Sequence, residues 1–405
     1  MDLVSFYQSV IAPPRPWKVV RVECFDDALR IDVWLEHEPS TFRCPTCMTE
    51  CPTHDHAPER VWRHLDTCEF QTYIHARLPR VKCKNHGVLT AHVPFVTPQT
   101  SVTTPMETLC IKAMKECTLS GAETLFGVTA RKLHRIQNLA VARGMERRGE
   151  ETPVKMGLDE KQVFARHKYF TIITDLQWRK VVDVVDKRNI DAIAPWFEAR
   201  SPSLKKTELV AMDMSAGYAN IARKFMPFAE ICFDKFHVIK LLNNAVDATR
   251  KDEQKTMDIE QKRKMFKSRF CFLYGKEKLD KENKEKFERA SAVARKTARA
   301  WAIKEFMRDM WNLPPPEFEP QFKRWYWWAT HSRLEHVVKV AKTLKLHLEG
   351  IVNAVLYGIT NALTEGMNSK IEAIKRAASG YRNKQNFRNA ILFHCGKLDM
   401  MPNLL

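Results

Sequence analysis

Between residues 154 and 239 the chain changes its hydrophobic period in a fixed order. VKMGLDEKQ, KYFTIITDL and KVVDVVD read as three consecutive strands joined by short turns. IDAIAPWFEARS then takes helical spacing, ELVAMDM returns to a strand, GYANIARKFMP is helical and AEICFDKFHV closes as a strand. A β-β-β-α-β-α-β order predicts a mixed sheet flanked by helices.

That order is the one of a ribonuclease H-like domain. Asp159 falls at the end of the first strand, and Asp213 at the end of the fourth, which lies beside the first in such a sheet. Two carboxylates on adjacent strand ends are what a divalent-metal phosphoryl-transfer site needs. Asp234, with His237 after it, is a third strand-end acid and stands second to the pair, as auxiliary ligand, DNA contact or structural residue. Asp175 and Asp183 read as turn and surface residues.

The first third of the chain has another character. WKVVRVECF and ALRIDVWLEHE alternate as two strands joined by an acidic turn, and FRCPTC and VKCKNHG follow. Cys44 with Cys47, and Cys83 with His86, are two short-spaced knuckles that together supply the four N/S ligands of a tetrahedral Zn²⁺. Such a closed site has a structural role. Cys51, His54, His56 and Cys68 lie between the knuckles and blur the ligand set. In RVWRHLD, Arg60, Arg63 and His64 interleave with Trp62, which admits two readings: contact with phosphate or base, or a strand whose Trp packs on the ribbon core.

LSGAETLFGVTARKLHRIQNLAVARG reads as helix, tight turn at Gly127, helix, with Thr129 as N-cap of a second helix bearing Arg131, Lys132, His134 and Arg135. This is a helix-turn-helix with a basic recognition helix. RGMERRGEETP, 143–153, reads as a linker. A net charge of +18 calls for a polyanionic partner, most simply nucleic acid. The run from 240 to 345 is charged and helical, an insertion whose charges are read as a solvated face and whose Trp325, Trp327 and Trp328 pack it on the core. There is no signal peptide and no span long enough for a bilayer, so a cytoplasmic protein with thiols or metal ligands in place of disulfides is expected.

LTEGMNSKIEAIKRAASGYRN, 363–383, places an acid in a basic helix. Leu363, Met367, Ile371, Ile374 and Ala378 form its apolar stripe, and Glu365 and Glu372 are both eligible by spacing as a third acid.

The CxxC and CxxHG knuckles, WRHLD, PRVKC, GLDEK, DMSAGY, FDKFH and TEGMNSKIEAIKRAASGYRN, in that order over nearly the whole chain, closely resemble the ISL-three family of bacterial insertion-sequence transposases. The resemblance implies a multidomain α+β protein: a zinc-binding ribbon-like domain at 1–98, a helix-turn-helix at 99–145, a ribonuclease H-like DDE domain at 146–240 and 350–400, and a helical insertion at 241–349. It selects Asp159, Asp213 and Glu365 as a triad holding two Mg²⁺ (or Mn²⁺) ions. Asn368 becomes a supporting group, and Lys370, Lys375, Arg376, Arg382 and Lys384 become phosphate contacts. It also implies binding of double-stranded terminal inverted repeats and target DNA, strand cleavage and transfer, a homodimer or larger assembly at synapsis, and a place at the bacterial nucleoid. The competing classes are a DNA-binding regulator without catalysis, which would tolerate loss of the acids, and a ribonuclease H-like nuclease without strand transfer.

Overall fold

The period-two alternation from Trp17 becomes two antiparallel strands, β1 (Trp17–Phe25) and β2 (Arg30–His37). A computed structural model describes residues 2–38, 41–164, 168–187, 189–359 and 361–403, except the side chains of 163, 164, 168 and 361–365. The chain forms two compact units, Met1–Gly149 with Ala373–Leu405, and Glu150–Glu372.

In the first unit β1 and β2 join β3 (Thr41–Arg43), β4 (Glu50–Arg63), β5 (Gln71–Cys83) and β6 (Gly87–Thr90) in one mixed sheet, ordered β1-β2-β5-β4-β3 with β6 on β5. The β2/β5 pair is parallel and the others are antiparallel. Trp17, Val33, Leu35, Trp62 and Ile74 fill its core. Helices Thr104–Glu116, Leu119–Phe126 and Ala130–Arg148 follow. Gly127, at φ +63°, ends the second of them, and Val128 is buried behind the turn. Thr129 occupies the N-cap position of the third helix, but its side chain makes no capping bond; Glu123 Oε1 accepts the Ala130 N–H instead, at 3.0 Å.

The expected linker at 143–153 is helix as far as Arg148 and stops at Gly149. The reason is tertiary. Arg143 donates to the Met400 carbonyl at 2.5 Å and Arg147 to the Met401 carbonyl at 2.7 Å, so a segment that looks polar in isolation has the chain end as its partner. Gly144 is needed there, since a Cβ would stand 2.7 Å from that of Leu398.

The second unit carries a five-stranded sheet of β7 (Lys155–Phe164), β8 (Lys168–Asp175), β9 (Lys180–Asp186), β10 (Leu209–Met212) and β11 (Glu230–Phe233). Its order is β11-β10-β7-β8-β9, with β7, β8 and β9 antiparallel and β10 parallel to both β7 and β11. Asp175 and Asp183 are buried, not surface residues. Asp175 Oδ1 accepts the N–H groups of Gln177 and Trp178 in the β8–β9 turn, and Asp183 Oδ2 accepts Trp196 Nε1 at 3.0 Å, fastening helix Ile190–Ala199 to the sheet. Acids that look like turn punctuation are tolerated inside because each is given N–H donors.

The segment from Lys235 onward is helical and shares a core with the sheet through Phe272, Phe318, Phe322 and Trp325. Trp325 is buried and donates to the Ile303 carbonyl at 2.8 Å. Trp327 is 63% exposed and Trp328 half-buried, so the three do not act together as packing residues. Buried Lys304 donates to the carbonyls of Phe272, Leu273 and Tyr274 at 2.9–3.2 Å, at the C-terminal end of helix Arg269–Leu273. No helix among the described residues is long and apolar enough to cross a membrane.

Candidate functional site

β10 pairs with β7 in the register Leu209↔Lys155, Val210↔Met156, Ala211↔Gly157. Continued by two residues, that register sets Asp213 beside Asp159. Asp213 stands just past the end of short β10, as expected, but Asp159 is in mid-strand, because β7 runs on in its pairing with β8. The β10/β11 register, Met212↔Phe233, extends the same row to Asp234. Three carboxylates therefore line up across three neighbouring strands.

Burial pushes the Asp213 carboxyl above the usual range, and the charge of Asp159 adds to this; His237, the Ser215 N–H and Lys240 oppose it. Asp213 Oδ1 accepts that N–H at 3.0 Å. Asp234 caps helix Lys235–Lys255 by accepting the Phe236 N–H at 2.9 Å.

Helix Asn361–Ala377 is tied to β7 twice. Asn368 Nδ2 donates to Asp159 Oδ2 at 2.5 Å, and Lys161 Nζ pairs with Glu372 at 2.9 Å. Glu372, eligible by spacing as an acid of the site, thus sits on a cation. Glu365 belongs to this helix, and its side chain lies outside the described residues. Lys161 was missed from sequence; its place two residues from Asp159, on the same face of β7, is the signal that marks it.

In the first unit Cys44, Cys47, Cys83 and His86 bring one ligand atom each to within 4.8 Å of one another. Cys47 Sγ lies 3.6 Å from Cys83 Sγ, and His86 Nδ1 lies 3.5 Å from Cys83 Sγ and 3.8 Å from Cys44 Sγ. A tetrahedron with bonds of about 2.3 Å has edges of about 3.8 Å, so the donors have the spacing of a Zn²⁺ site. The Thr49 hydroxyl and N–H draw the Cys47 thiol down to about 6, towards the thiolate that ligation needs. The intervening residues drop out of the group: His56 Nε2 is 3.0 Å from His37 Nε2, and Cys51 Sγ lies against the Thr49 carbonyl.

A family model described as a transposase, of the ISL-three DDE group, matches residues 156–391, more than half of the chain. The chain belongs to this transposase family. A second model, for the zinc-finger of transposases IS204/IS1001/IS1096/IS1165, matches residues 40–86 and so spans both knuckles. The transposase is 24% identical to the transposase for insertion sequence element IS1001 of Bordetella parapertussis, over 91% of this chain and 93% of that one. It is 23% identical to the transposase for IS1557 of Mycobacterium tuberculosis, over 85% and 83%, in each of two strains.

The cations assigned to DNA are unevenly placed in this transposase. Arg131, Lys132 and Arg135 are exposed on helix Ala130–Arg148, Lys370, Arg376 and Arg382 are exposed, and Lys375 and Lys384 are half-buried. His134 is set back from that exposed row: burial lowers its pKa, and its Nδ1 is enclosed with no hydrogen-bond partner among the described residues. It lines a cavity of about 810 Å³ with Gln137, Tyr381 and Arg382. Arg60 is exposed over the Trp62 ring. Arg63 is 5% exposed, bonds the His64 carbonyl at 2.5 Å and pairs with Asp66, which favours the packing reading of its two for this side chain. Trp62 is buried too, whereas Arg60 of the same segment stays exposed.

Proposed function

We propose that the chain is an active DDE transposase that cuts the ends of its insertion sequence and joins them to target DNA, with Asp159, Asp213 and Glu365 as the acids. The observation that carries this reading is the β7/β10 register, which brings Asp213 beside Asp159 and leaves a burial-raised carboxyl in the pair. Adjacent carboxylates repel one another and call for cations, so the donor set fits two Mg²⁺ or Mn²⁺ ions. Bound there, the ions would lower the pKa of attacking water and stabilise the leaving 3′-oxygen.

The chain's own residues position that chemistry. Asn368 occupies one lone pair of Asp159 Oδ2 and fixes the carboxylate's rotation, while the Ser215 N–H does the same for Asp213 Oδ1. The Lys161–Glu372 pair holds the helix that carries Glu365 against β7. Asp234 and His237 belong to the same reading as auxiliary groups on the acidic row. Water attack frees a 3′-hydroxyl, which then attacks the target phosphodiester; positioning and charge neutralisation suffice, with no covalent protein intermediate.

The sheet order supports a ribonuclease H-like domain, and the three helices from Thr104 to Arg148 support a helix-turn-helix whose Arg131, Lys132 and Arg135 enter the major groove of the terminal repeats. Lys370, Lys375, Arg376, Arg382 and Lys384 are the phosphate contacts of this reading. The domain limits expected from sequence, a Zn²⁺ on the Cys/His group, a synaptic dimer or larger, and a nucleoid-associated cytoplasmic location complete it.

The test is cleavage of a labelled terminal-repeat duplex by the purified protein, with and without Mg²⁺, beside Asp213→Asn. Metal-dependent cuts at the element end, lost by more than roughly a hundredfold in Asp213→Asn while duplex binding persists, are expected. Cleavage that survives Asp213→Asn rejects the acid assignment.

A further inference from the structure

From Ile259 to Tyr274 the helical segment carries five cations, Lys262, Arg263, Lys264, Lys267 and Arg269, against a single acid, Glu260. Lys264 is paired with Glu260 at 2.7 Å and Arg269 with Asp247 at 3.2 Å. Lys262, Arg263 and Lys267 are exposed and form no ion pair among the described residues. A purely solvated face would stop there.

This one also exposes three aromatic rings at i, i+4 and i+8: Phe266 at 70%, Phe270 at 55% and Tyr274 at 43%. The alternating residues explain why the rings stay outside. Met265, Ser268, Cys271 and Phe272 are buried, and Ser268 Oγ donates to the Met265 carbonyl at 2.7 Å. The backbone beneath is held by Lys304, whose ammonium gathers the carbonyls of Phe272, Leu273 and Tyr274. The rings are thus mounted on a rigid base. Phe270 and Tyr274 stack at 5.8 Å with planes 27° apart, Lys267 Nζ lies 5.3 Å from the Phe266 centroid and Arg269 Cζ 5.6 Å from that of Phe270.

Exposed rings on a soluble fold mark a surface that something covers. Cations set between them disfavour a cationic partner such as a second copy of this +18 chain and favour a polyanion that also offers flat apolar faces. Duplex DNA offers phosphates but hides its base faces. An unpaired strand offers both. We propose that Phe266, Phe270 and Tyr274, with Lys262, Arg263 and Lys267, form a binding platform for single-stranded DNA, taking unpaired bases beside the cut end by stacking. This rests on the DNA-cutting reading above.

The experiment uses the full chain, a fluorescein-labelled oligothymidylate and a terminal-repeat duplex, followed by anisotropy. Phe266→Ala with Phe270→Ala weakens oligothymidylate binding by roughly tenfold or more per ring, while Phe266→Tyr with Phe270→Tyr restores it. Duplex binding stays within about twofold of the unmodified chain, since base faces are not offered there. Lys262→Gln, Arg263→Gln and Lys267→Gln together lower the salt slope for the single strand by about 2, and this set carries the test if the alanine pair does not fold. Unchanged single-strand binding in the alanine pair, or an unchanged slope in the glutamine set, overturns the platform. So does loss of self-association by light scattering with single-strand binding intact, which would make the surface a protein interface. Those results leave Mg²⁺-dependent cleavage standing; absence of both duplex binding and cleavage in the unmodified chain overturns the DNA-cutting reading itself.

Discussion

Cys44, Cys47, Cys83 and His86 meet through two tight turns, whereas Asp159 and Asp213 meet only because two parallel strands take one register. The first group is local: each knuckle brings its two donors together over three residues, and one antiparallel β-ladder supplies the rest. The second is assembled from distant parts of the chain, and a one-residue slip of β10 would turn Asp213 to the other face. Local construction lets a site serve the fold. Assembled construction places carboxylates side by side, and the charge of Asp159 adds to the burial that raises the Asp213 carboxyl.

Chelation breaks the comparison most sharply. Stripping metal from the Cys/His group, or Cys44→Ser, should unfold the sheet around it, because structural zinc contributes on the order of 10 kcal/mol. Metal content by mass spectrometry and the melting curve would report this together; a chain that holds no zinc and melts unchanged would remove the structural role. The same chelation should leave the carboxylate unit's melting unchanged or lowered, since it can only remove a cation that stabilises the folded form.

Arg143→Ala comes next. Glu107 is fully buried and pairs with Arg143 at 2.7 Å, so removing the guanidinium strands a carboxylate and should destabilise the first unit by roughly 3–5 kcal/mol in urea melts. Loss of under about 1 kcal/mol would mean that the pair contributes little to the first unit.

The first unit should also be acid-sensitive through His64. Burial pushes it down to about 4, and its Nδ1 lies 2.8 Å from Thr103 Oγ1. The unfolded chain therefore binds more protons between about 4 and 6.5. The resulting stability is complete above that window and falls by up to about 3 kcal/mol as pH drops through it. His64→Gln should flatten this part of the stability–pH curve; an unchanged slope would assign the effect elsewhere.

The smallest effect sharpens the assembled site. Asn368→Ala should lower cleavage roughly 10- to 100-fold at limiting Mg²⁺, with partial recovery at high Mg²⁺ and little change in melting. Loss of stability instead would make Asn368 a fastening residue like Lys161.

Much of this architecture was readable beforehand. The seven expected elements from β7 to β11 occur in order, with one short helix, Ser201–Leu204, added, both knuckles close on one another, and the tight turn at Gly127 stands where its sequence put it. Periodicity and short-range spacing are local properties, so a chain read one window at a time reveals them. The misses share one cause. Asp183 read as surface and Trp327 as packing because residue type sets only an average burial, and the same limit left both readings of Arg63 open; Asp183 finds the Trp196 indole, Trp327 is exposed and stacks on His331, and Arg63 finds Asp66 and two carbonyls.

The sequence by itself determined the element order, the donor types and their spacing, since these follow from side-chain chemistry and backbone period. Only the tertiary structure decided that Asp159 sits in mid-strand with Asp234 continuing the row, that Asn368 bonds Asp159 while Glu372 is claimed by Lys161, and which rings of the insertion face outward. Those are contacts between segments far apart in the chain, set by strand register and by packing, and no local window contains them.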